Sequence, residues 1–129
     1  MSHFTTVQTK IKCLVTLKKV LAELGYSLKE GVTQVRGYAG QLADAVAVID
    51  TKASYDIGIV QTQDGYSLIG DWEMVQVRAG IEQAALLKQI NQRYAYHKVM
   101  EEVKKRGYQV VEEQTDGQQH VTVRVRKWS

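Results

Sequence analysis

Proline is absent from the 129 residues, where ordinary usage of about 5% would place about six. That absence excludes proline-rich linkers and PxxP ligands. Cysteine occurs once, as Cys13, which rules out an internal disulfide and any zinc site of paired or fourfold cysteines, and fits a reducing compartment. Long apolar runs are missing too. The longest is the five residues Ala45 to Ile49, against the roughly 20 needed to cross a bilayer. The first residues carry no apolar signal core, so a cytoplasmic protein without a membrane partner is expected. Charge of one sign is also scarce: 17 Lys and Arg against 14 Asp and Glu leave a net +3, too little to name a partner.

What is present is the composition of a packed domain, 44% hydrophobic and 24% charged, in a length that suits a single domain over residues 1–129. The charge is uneven. Residues 1–30 carry five lysines against Glu23 and Glu30, residues 31–80 carry three basic residues against six acids, and the remainder is basic again. With no Gly/Ser-rich linker between them, these regions read as faces or ends of one domain.

Alternation in "HFTTVQTKI" predicts a half-buried strand with Thr5, Val7, Thr9 and Ile11 on one side. Leu14, Leu17, Leu21 and Leu24 then recur at helical spacing, and Gly25 supplies a left-handed stop. From about 32 to 72, "VTQVRGY", "ADAVAVID", "YDIGIVQT" and "YSLIGDW" return to period two, a four-strand meander with its clearest hairpin turn at Asp64-Gly65. Residues 80–106 are helical, as one helix or as two breaking near Asn91. Ile81, Ala84, Leu87, Ile90 and Tyr94 form the core stripe, which then shifts to Tyr96, Val99, Met100 and Val103. Two more strands flank "TDG". The fold expected is α+β: a mostly antiparallel sheet with two helices packed on one face, resembling an elaborated ferredoxin-like two-layer sandwich.

Two segments are dense in functional side chains. In "INQRYAYHKV", Arg93 and His97 are four apart and Tyr94 and His97 three apart, so helical spacing can bring them onto one surface for acid–base work on an anion. In the last strand, Val121, Val123 and Val125 alternate with His120, Thr122, Arg124, Arg126 and Trp128. That second face could stack bases and hold phosphates. The simpler reading pairs its arginines with Glu112 and Glu113 of the neighbouring strand. The three histidines are scattered, so no metal is expected. The six middle acids sit mostly at strand ends and turns, where Asp bonds local backbone. "RGYAGQ" lacks the lysine and strand-to-helix context of a phosphate loop. Cys13 stands where the first helix begins, a position that lowers a thiol pKa, though an isolated cysteine is usually an apolar filler.

Taken together, "MSHFTTVQTKI", "LKKVLAELGY", "VRGYAGQ" and "INQRYAYHKVMEEVKKRGY" resemble the small family called hypothetical chloroplast reading frame thirty-five, of cyanobacteria and algal plastid genomes. The resemblance covers nearly the whole chain in order. It implies a cyanobacterial cytoplasm or plastid stroma and an accessory role, and through an association of family genes it points to a small ferredoxin-type protein as partner. It implies no activity, cofactor or catalytic residue to carry over. Cys13 departs from it, standing where a polar helix cap is expected. The reading is therefore an accessory or adaptor module without a cofactor, binding another protein through Arg93, His97, His120, Arg124, Arg126 and Trp128. A single-stranded nucleic-acid binder using the basic strand, and an enzyme on the long helix, are the alternatives.

Overall fold

The computed structural model describes residues 3–115 and 121–127. Its main sheet has five antiparallel strands in the order β1-β7-β6-β5-β2. These are β1 (Thr5–Gln8), β7 (Gly65–Gly70), β6 (Ile57–Thr62), β5 (Ala47–Asp50) and β2 (Ser27–Leu28). Three helices accompany the sheet: α1 (Leu14–Glu23), α2 (Trp72–Ala79) and α3 (Gln83–Lys105). The fold is α+β, as the alternating periods predict.

One face of the sheet builds the core. Leu68, Ile59, Ile57, Ile49 and Ala47 lie side by side through the β5–β6–β7 register. They pack against Leu17, Val20 and Leu21 of α1, Leu86 and Ile90 of α3, and Trp72 and Val75 of α2. α1 ends in a left-handed turn: Gly25 has φ 91°, its N–H donates to the Ala22 carbonyl, and the Tyr26 N–H donates to the Leu21 carbonyl. This is the doubly bonded glycine stop that satisfies the last carbonyls of a helix.

The core stripe of α3 differs by one residue from the expected one. Leu86 and Ile90 are buried, whereas Leu87 is half-buried and Ala84 exposed. Residues 83–105 form one unbroken helix. The expectation missed α2, whose two turns offer too few apolar positions for a helical period to show. Gly80, at φ 71°, separates it from α3.

The meander also differs. The first run forms β3 (Gln34–Arg36), which leaves the main sheet and pairs with β4 (Leu42–Asp44) as a separate ribbon. "ADAVAVID" is split between ribbon and sheet: the Ala45 N–H donates to Thr33 and the next N–H, of Val46, to Ile59. The ribbon covers the second face of the sheet, where Val35 is fully buried over Gly58. The last two strands, β8 (Tyr108–Thr115) and β9 (Val121–Lys127), pair with each other alone.

Candidate functional site

α1 and α3 meet along a seam that gathers two of the residues singled out from the sequence. Arg93 Nη2 donates to Glu23 Oε2 at 2.9 Å and its Nε to the same oxygen at 3.3 Å. His97 Nε2 contacts the other oxygen, Oε1. Arg93 also lies over the Tyr96 ring, its guanidinium carbon 4.5 Å from the centroid, and Tyr96 meets His97 edge to face. The expected tyrosine was Tyr94. It packs beside the core, as its place on the expected stripe predicts, with the Lys98 ammonium over its ring. Two residues of helical rotation, about 200°, separate the two rings.

Burial raises the Glu23 carboxyl pKa, but hydrogen bonds from Arg93 and His97, with their charge, outweigh it and hold the group below the usual range. Glu23 is therefore ionised and ties both side chains to α1. Arg93 and His97 Nε2 thus join α3 to α1 through that carboxylate. Beside them is a depression of about 140 Å³ lined by Thr16, Lys19, His97, Met100, Glu101 and Lys104. Small-molecule sites usually enclose about 300–1,000 Å³, and this one is smaller.

At the start of α1, Cys13 is exposed. The Thr16 N–H, then the Thr16 hydroxyl and the Val15 N–H, lower its thiol pKa, as a helix N-terminus does. A larger hollow of about 410 Å³ has Lys18 of α1 in its lining, with Leu28, Glu30, Val32, Val46 and Ala47.

The buried aspartates are structural. Asp56 is 1% exposed and accepts from Lys29 Nζ at 2.8 Å and from Arg36 through Nε, Nη2 and the backbone N–H, each at 2.9 Å. Asp71 accepts the Tyr38 N–H at 3.1 Å. Together they hold the "RGY" stretch between ribbon and sheet. The local backbone bond expected of the middle acids is made by Asp50, which accepts the Lys52 N–H at 2.8 Å, whereas Asp56 and Asp71 accept N–H groups 20 and 33 positions away, and the ion pairing of Asp56 left no local signal.

The basic strand stands apart in this picture. Glu112 is in register with Arg124, whereas Glu113 faces Val123 and Arg126 faces Gln109, because an irregularity at Val110/Glu112 shifts the pairing. The expected pairing of Glu113 with an arginine is thus corrected at the backbone level. Arg124 is exposed. His120 and Trp128 lie outside the described residues, as does the side chain of Arg126. Among the described residues, no three His, Cys, Asp or Glu gather in a metal-holding group, and no helix is long and apolar enough to cross a membrane.

Over residues 20–124 the chain matches the family described as "Protein of unknown function (DUF1257)". It is 31% identical to uncharacterized protein ycf35 of Cyanophora paradoxa, across 99% of this chain and 98% of that one. Identity to ycf35 of Guillardia theta is 30%, across 99% and 98%, and to ycf35 of Pyropia yezoensis 27%, across 100% and 99%. No solved structure matches the chain.

Proposed function

The chain belongs to this family of uncharacterised ycf35 proteins, and on that premise we propose that it is a non-enzymatic adaptor that engages another protein through the α1–α3 seam. The observation that supports this reading is the convergence of Arg93 and His97 on Glu23. It makes a braced, partly exposed surface with a side-chain-sized depression beside it. Hot spots of protein interfaces favour such Arg and Tyr groups, here Arg93 on Tyr96, around a small pocket. In a cyanobacterial cytoplasm or plastid stroma, a small ferredoxin-type protein is the first partner to test.

The test is affinity capture from a nuclease-treated algal lysate with three proteins: wild type, Thr16→Trp, which fills the depression, and Val77→Trp, which places the same ring on exposed α2 surface. The seam reading expects a protein captured by wild type and Val77→Trp and lost with Thr16→Trp. Equal capture by all three, or capture that vanishes with nuclease, contradicts it.

A further inference from the structure

We propose that the seam receives an acidic stretch of its protein partner, with a carboxylate side chain seated between Lys19 and Lys104. This rests on the seam being the binding surface and adds the chemistry of what binds there. Lys19 and Lys104 both line the depression and are exposed, and no ion pair among the described residues engages either ammonium. The other cation of the seam, Arg93, is joined with His97 to Glu23, and that carboxylate makes no ion pair with either lysine. Glu101 is the one carboxylate in the lining, and two lysines outnumber it.

The lining also carries Met100, and lysine stems are apolar up to the ammonium. A Glu or Asp side chain matches that combination: a short apolar stem and an anionic tip. A nucleotide matches it less well. The depression is about 140 Å³, the one ring in its lining is His97, which is held to Glu23, and single-strand binders rely on a platform of stacking aromatics. Opposite potentials across an interface also speed encounter and fix register, which suits an adaptor.

The probes are a fluorescein-labelled decapeptide of alternating Glu and Ala and a labelled single-stranded DNA decamer, followed by anisotropy at two salt concentrations. Wild type is compared with Lys19→Glu/Lys104→Glu and with Lys52→Glu/Lys88→Glu, which changes the net charge equally away from the seam. Melting curves confirm that all three are folded. The proposal expects saturable peptide binding that weakens at least tenfold in the seam variant and less than twofold in the control. Equal weakening in both variants, no peptide binding, or tighter binding of the DNA overturns it. If Thr16→Trp still abolishes capture while the peptide does not bind, the surface stands and its acidic specificity is refuted.

Discussion

Glu23 and Arg93 stand 70 positions apart in the chain, yet the Arg93 guanidinium rests 2.9 Å from the Glu23 carboxylate and joins the two helices of the seam, α1 and α3. Exposed ion pairs are screened by solvent and contribute about 0–1 kcal/mol. Glu23→Ala, which also removes the His97 contact, should therefore cost about 1 kcal/mol and lower the melting temperature by roughly 3–5 °C. Thermal denaturation checks this, and a loss that shrinks in high salt is expected.

Asp56 sits deeper. Burial raises its carboxyl, yet the hydrogen bonds from Arg36 and Lys29 hold it below its ordinary value of 3.8, as those in the seam hold Glu23 below 4.5. Each group binds fewer protons folded than unfolded just below its ordinary pKa. The stability each contributes is complete above that value and is lost as pH falls through the depressed folded value. Wild type should lose stability as pH drops below about 4, and Asp56→Asn should show a smaller drop. Asp56→Ala at neutral pH should cost about 3 kcal/mol, the low end for a broken buried pair, because Arg36 and Lys29 can turn to water. Urea denaturation at a series of pH values measures both effects.

Gly58 has no room for a side chain. A β-carbon there would stand 2.3 Å from Val35 Cγ2 and 2.9 Å from Ala45 Cβ and Ile69 Cγ2. Gly58→Ala should therefore lift the ribbon from the sheet and cost about 1–3 kcal/mol, the usual range for overpacking. Adding Val35→Ala should then cost less than it does alone, since it also relieves the clash. A double-mutant cycle in urea decides the point.

Cys13 should react faster with iodoacetamide near neutral pH than an unperturbed thiol, since the N–H groups of Thr16 and Val15 favour its thiolate. The rate should rise with pH through a midpoint below the ordinary 9.0. Mass spectrometry of alkylation against pH reads that midpoint.

Much of this architecture is local and therefore legible. α1 announces itself through Leu17 and Leu21, which are buried as their spacing predicts, and through Gly25. The β6–β7 hairpin follows from Asp64-Gly65, with Thr62 paired to Gly65. Partner choice is not local. Period two in "VTQVRGY" is the same whether β3 joins the main sheet or leaves it, and what decides is the missing side chain at Gly58. The seam was half legible: helical spacing groups Arg93 with His97, but their anchor is Glu23 on another helix. The choice of Tyr96 over Tyr94 depends on a helix phase set by Leu86 and Ile90. Leu86→Ala should accordingly cost about 2–5 kcal/mol, more than Leu87→Ala.

Hydrogen exchange on the chain alone and in its isolated complex tests the central claim most directly. If the α1–α3 seam is the binding surface, the partner slows exchange in residues 13–23 and 93–105 and leaves the β3–β4 ribbon unchanged. Protection confined to the ribbon or to the β8–β9 hairpin, with the seam exchanging as in the free chain, contradicts the account.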